Sequence, residues 1–102
     1  METPVFSSQL QKVLSDDDYR ALQLALAFRP EQGLLIPGSG GLRKLRWTLR
    51  GKGKRGGLRV IYYWDSAEEI IYLLFLYPKN RQENLTPDQL RLLRRIVQED
   101  LK

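Results

Sequence analysis

Cysteine and histidine are both absent from the 102 residues. Their absence removes disulfides, thiol nucleophiles, imidazole general bases and the usual zinc ligands in one step. Acidic residues are missing from one whole segment, since none lies between Glu31 and Asp65. Long apolar runs are missing as well: the longest, Ile70 to Tyr77, is far too short to span a bilayer. The opening stretch from Met1 to Leu14 has no basic start followed by a long apolar core, so no signal peptide is expected there. The expectation is a small cytoplasmic protein, and a chain without Cys suits a reducing compartment.

What remains is ordinary globular material, 42% hydrophobic and 28% charged. About 100 residues bury one core without cross-links, so residues 1–102 read as a single domain. The net charge is +5. The excess is concentrated in the acid-free segment, which holds Arg43, Lys44, Arg46, Arg50, Lys52, Lys54, Arg55 and Arg59. Eight bases without a counter-charge make one electropositive face, and a polyanion is the usual partner of such a face. The plainer alternative is a solvated surface tuned for solubility.

Local patterns place the elements. Leu10, Val13 and Leu14 recur at helical spacing, and Ser15 then caps a second helix with Asp16, Asp17 and Asp18 in its first turn. Pro30 ends that helix. Residues Lys44 to Arg50 alternate, with Leu45, Trp47 and Leu49 on one side and Lys44, Arg46, Thr48 and Arg50 on the other, as in a half-buried strand. Leu58 to Trp64 forms the next strand after a basic glycine-rich loop. Ile70 to Tyr77 is apolar on both faces, which predicts a central strand. Thr86-Pro87-Asp88-Gln89 carries an N-cap, a first-turn proline and a capping-box glutamine, and Leu90, Leu93, Val97 and Leu101 supply the stripe that follows. The expected class is α+β: two N-terminal helices on a three- to four-stranded antiparallel sheet, closed by a C-terminal helix.

Several chemistries are excluded. Gly51 to Gly56 matches a dinucleotide fingerprint by letter, but a strand rather than a helix follows it. No Walker sequence occurs, and no pair of acids sits on neighbouring strand ends for two-carboxylate catalysis. No metal or cofactor is expected. The survivors are cations and phenols near one sheet edge: Lys52, Lys54 and Arg55 in the loop, Arg59 in the second long strand, Lys79, Asn80 and Arg81 after the third, with Tyr62 and Tyr77 as stacking faces or hydroxyl donors. In an antiparallel meander Arg59 and Lys79 fall at the same end of the sheet. Arginine grips phosphate oxygens bidentately, and RNA carries its own nucleophile in the 2′-OH. By chemistry alone, plain nucleic-acid binding and RNA cleavage both stand.

The blocks Leu35 to Arg46, Gly56 to Tyr63, Leu76 to Asn80 and Asn84 to Thr86 resemble the RelE/ParE toxin superfamily, most closely its HigB-type branch, toxins of bacterial type II toxin–antitoxin modules. The resemblance implies a RelE-like fold, ribosome-dependent cleavage of mRNA in the A site, and a cognate HigA-like antitoxin through which operator DNA is bound. It matches Arg59 to the arginine at the scissile phosphate and Lys79 to the basic residue after the last strand, with Arg81 as a further catalytic candidate. Lys52, Lys54, Arg55, Arg46, Tyr62, Tyr77 and Asn80 are the expected contacts to RNA and ribosomal RNA, with packing in the fold the alternative role for Tyr62. Relatives with a histidine or tyrosine in the C-terminal segment differ from this chain, whose last tyrosine is Tyr77. A ParE-like gyrase inhibitor and a non-catalytic basic binding module are the alternatives.

Overall fold

A computed structural model describes residues 1–48 and 57–101. Two helices come first, α1 (Pro4–Val13) and α2 (Asp16–Phe28). Each starts on a hydroxyl cap: Thr3 Oγ1 accepts from the Phe6 amide at 3.1 Å, and Ser15 Oγ accepts from the Asp18 amide at 3.1 Å. Four strands follow, β1 (Leu34–Leu35), β2 (Leu42–Thr48), β3 (Gly57–Asp65) and β4 (Ile70–Pro78). They form one antiparallel sheet in sequence order. The closing helix α3 (Pro87–Ile96) begins with the full capping box of Thr86 and Gln89 and runs into a π-helical turn, Val97–Leu101. The expected α+β architecture is the observed one.

The sheet is covered on both faces. On one side Phe6, Leu14, Leu22 and Leu26 of the N-terminal hairpin of helices pack on Leu45, Leu58, Val60, Tyr62, Leu73 and Leu76. On the other, Leu93 and Val97 pack on Leu42, Ile61, Leu74 and Tyr77. Each fully buried aliphatic side chain here contributes roughly 1.5–3 kcal/mol by leaving water. Alternation along β3 therefore sends Leu58, Val60 and Tyr62 toward α1 and α2, and Arg59 and Ile61 toward α3.

One expectation fails. The strand that is apolar on both faces, β4, is an edge strand, and β2 and β3 are the interior ones. Two-sided burial marks a sheet covered on both faces, which says nothing of position within it. The exposed edge that results is blunted from the N-terminal side. Leu73 donates to the Met1 carbonyl at 2.7 Å and accepts from the Thr3 amide at 2.9 Å, and the Leu76 amide donates to Gln9 Oε1 at 2.8 Å. The β3–β4 register also skips a residue: Ile61 pairs with Phe75 but Tyr62 with Leu73. This bulge puts Leu74 and Phe75 both on the α3 side and brings Tyr77 onto the same face as Arg59.

A candidate nucleic-acid interface

The register lines up three side chains across the end of the sheet. Arg46 of β2 pairs with Arg59 of β3, and Arg59 pairs with Tyr77 of β4. All three lie on the α3 face, together with Lys44 one turn of the pleat further in. Beyond β4 the ladder continues for one more bond, Lys79 N to Gly57 O at 3.0 Å. The Lys79 side chain lies over Gly57 so closely that a Cβ there would come within 2.8 Å of Lys79 Cδ. Arg59 and Lys79 thus share one end of the sheet, as the meander required. Asn80 and Arg81 occupy the turn that follows, both exposed, with the Arg81 amide bonded to Pro78 O at 3.1 Å.

Arg59 is the buried member of the group, 8% exposed. Its Nη1 reaches the Leu58 carbonyl at 3.4 Å and its Nη2 donates to Glu83 Oε2 at 2.8 Å. Its Nε is buried without a hydrogen-bond partner among the described residues. One N–H of this buried guanidinium is thus left without an acceptor among those residues.

Glu83 collects the cations. Its Oε1 lies 3.3 Å from Arg46 Nη2 and 3.9 Å from Lys44 Nζ, while Oε2 holds Arg59. Lys44 also donates to Asn84 Oδ1 at 2.6 Å. The hydrogen bond from Arg59 above all, and then the charges of Arg59, Lys44 and Arg46, hold the Glu83 carboxyl below its ordinary range against the opposing effect of desolvation. The Arg46 contact is exposed on both sides and adds little to stability. Glu83, Lys44 and Asn84 stand outside the set of site residues expected from the sequence. One signal for Glu83 exists there: it is the sole acid between Glu69 and Asp88.

The two tyrosines part company. Tyr77 is nearly buried, tilted against Phe75 with 5.7 Å between ring centroids, and its hydroxyl donates to the Glu83 carbonyl at 3.1 Å. It anchors the backbone of the loop rather than presenting a stacking face. Tyr62 is completely buried on the opposite side of the sheet, donating to Pro30 O at 2.6 Å and accepting from the Gly33 amide at 2.8 Å. The expectation that Tyr62 offers a stacking surface or a free hydroxyl is corrected by that placement. Burial pushes both phenols above their ordinary range, so each is neutral at physiological pH. Lys52, Lys54 and Arg55 lie outside the described residues.

Two clefts among the described residues lie elsewhere. One of about 720 Å³ is lined by Tyr19, Gln23 and Trp64 and carries the acids Glu2 and Glu69; a smaller apolar one separates Val5 from Leu92. Neither contains the converging cations. Among the described residues no helix is long and apolar enough to cross a membrane.

A small α+β domain gathers arginines and a lysine at one end of an antiparallel sheet, around a buried guanidinium, an arrangement whose chemistry suits an anion. Residues 9–102 match the model of the RelE toxin of the RelE/RelB toxin–antitoxin system. The chain belongs to that family. It is the toxin of a toxin–antitoxin pair, and a cognate antitoxin is its partner.

Proposed function

We propose that this toxin is a ribosome-dependent mRNA endonuclease that cuts in the A site and so arrests translation. The observation that carries the proposal is Arg59, a buried guanidinium with an unused Nε, flanked by Arg46 and Lys79 at the open end of the sheet. Membership of a family whose toxins are generally ribonucleases supports the same reading.

The chemistry follows from the substrate. The 2′-oxygen of one nucleotide attacks the adjacent phosphorus while the bond to the 5′-oxygen of the next nucleotide breaks. The products are a 2′,3′-cyclic phosphate and a 5′-hydroxyl; the proton lost by the 2′-OH is balanced by one gained at the departing oxygen. Arg59 grips the non-bridging oxygens and stabilises the charge that accumulates on the phosphorane. In this reading Lys79 transfers the proton and Arg81 neutralises the leaving side. Arg46 and Asn80, with Lys52, Lys54 and Arg55 of the basic segment, hold the RNA backbone and the surrounding ribosomal RNA. Metal-free cleavage of this kind depends on alignment, which the ribosome supplies by fixing the mRNA. The cognate antitoxin, of HigA-like type in this reading, covers the toxin and carries the pair to operator DNA.

The test is cleavage by the purified toxin on ribosomes programmed with a defined mRNA. Cuts within the A-site codon ending in 2′,3′-cyclic phosphate are expected, with cleavage lost in Arg59→Gln and Lys79→Ala. Intact mRNA together with arrest of gyrase in a parallel supercoiling assay would replace this reading with the gyrase-inhibitor alternative.

A further inference from the structure

The most constrained ion cluster of the described surface is internal to the chain. Lys44, Arg46 and Arg59 come from two adjacent strands, and all three meet the single carboxylate of Glu83, which arrives from the loop between β4 and α3. Glu83 Oε2 sits on Arg59 Nη2 at 2.8 Å, where a phosphate oxygen bound by that arginine would sit. Its other oxygen faces Arg46.

We propose that Glu83 is an intramolecular latch: its carboxylate occupies the phosphate subsite and closes Arg59 and Arg46 to isolated phosphates until a polyanion displaces it. The inference rests on the reading of Arg59 as a phosphate ligand and adds a control on when that ligand is available.

Three features make the latch movable without disturbing the fold. The Glu83 side chain is 48% exposed, so rotation carries it into water. Its backbone is held independently of the carboxylate, by the Tyr77 hydroxyl on its own carbonyl and by Gln82 Nε2 on the neighbouring Asn84 carbonyl at 2.9 Å. Gln82 adds a third tether, donating to Gln89 Oε1 at 2.8 Å at the start of α3. The loop therefore stays in place while the carboxylate leaves. Its occupancy is also incomplete, because Arg59 Nε remains unpaired among the described residues. A tetrahedral phosphate serves Nε and Nη2 together and outcompetes the carboxylate once it is delivered.

Delivery is the controlling step. A carboxylate tethered in the same chain competes at a high effective concentration against any single dissolved anion. A substrate that also engages other cations of the basic face gains counter-ion release at several phosphates at once and overcomes that competition. The latch thus converts a phosphate-binding arginine into one that responds to dense RNA rather than to small phosphates.

The experiment is titration of the full chain with inorganic phosphate and with a 2′-O-methyl RNA oligonucleotide, which lacks the attacking hydroxyl, followed at the arginine Nε–H signals. Glu83→Gln and Glu83→Ala are both expected to bind inorganic phosphate about tenfold more tightly than the unsubstituted protein. The gain for the oligonucleotide is expected to be smaller, because the rest of its backbone already contributes. Phosphate affinity unchanged or weakened in both variants overturns the latch. Unchanged affinity with cleavage lost in Glu83→Gln likewise overturns it and makes Glu83 the proton acceptor. In Arg59→Gln/Glu83→Gln the gain should vanish; if it persists, Arg59 is not the phosphate ligand, and the underlying reading fails with it.

Discussion

Arg59 Nη2 and Glu83 Oε2 lie 2.8 Å apart, across 24 residues of sequence, and the arginine is buried while the glutamate is half exposed. That asymmetry sets what each can do. The guanidinium is fixed by strand register and packing, whereas the carboxylate can exchange with solvent or with another anion. In the proposed latch, the pair is a site with a resident occupant.

Replacing Arg59 by lysine keeps a positive charge but removes the planar fork. Cleavage on programmed ribosomes is expected to fall about 10²- to 10³-fold, with chemical denaturation showing a stability change of no more than about 1–2 kcal/mol. A variant with full activity would remove bidentate phosphate binding from the mechanism.

Acid should weaken the Arg59–Glu83 pair in a defined direction. The Glu83 carboxyl is held below its ordinary range in the folded chain, so the folded state binds its proton less readily than the unfolded state does. The pair's stabilisation is fully present above the ordinary glutamate range and is lost as the pH falls through the folded-state value. Denaturation curves from about pH 7 to about pH 3 should show the stability difference between the unsubstituted protein and Glu83→Gln shrinking toward the acid end. A difference independent of pH would contradict the ion pair.

Tyr62 belongs to the framework. Tyr62→Phe removes the bond to the Pro30 carbonyl and leaves the buried Gly33 amide without its acceptor. The cost is expected at about 1–3 kcal/mol, measured by denaturant titration, with cleavage by the folded fraction unchanged. Loss of cleavage at intact stability would return Tyr62 to the RNA-binding set.

Gly57 and Lys79 should behave as a unit. A methyl group at residue 57 meets the Lys79 aliphatic chain at 2.8 Å, so Gly57→Ala is expected to push that side chain off its place. Cleavage should drop in the same direction as in Lys79→Ala, and the double variant should be little worse than Lys79→Ala alone, because neighbours that share one interaction are not additive. Additive losses would mean that the glycine acts through something else.

Much of this architecture is legible in the chain because local and global signals agree. The Thr86–Gln89 box starts α3 where the letters place it, and alternation in β2 assigns Leu45 and Arg46 to opposite faces. The shared end of Arg59 and Lys79 follows from antiparallel pairing alone. The edge position of β4 is not legible, because two-sided apolarity reports coverage by helices on both faces. The face of Tyr62 is legible: three residues from Arg59 along an unbroken strand, period-two alternation sends it to the other side. Tyr77 resists that reading, since the bulge at Leu74 resets the parity of β4. Glu83 escapes a reading of charge runs because a single acid among bases looks like solvation, and only the fold brings Lys44 and Arg46 across to it.

The most direct measurement is mapping of mRNA 5′ ends in cells after induction of the unsubstituted chain and of Arg59→Gln/Lys79→Ala, with folding of the variant checked by thermal denaturation. The predicted result is growth arrest with new 5′ ends inside translated codons, both absent in the folded variant. Growth arrest with intact mRNA, or cleavage that persists in the variant, would contradict a nuclease site built on Arg59 and Lys79.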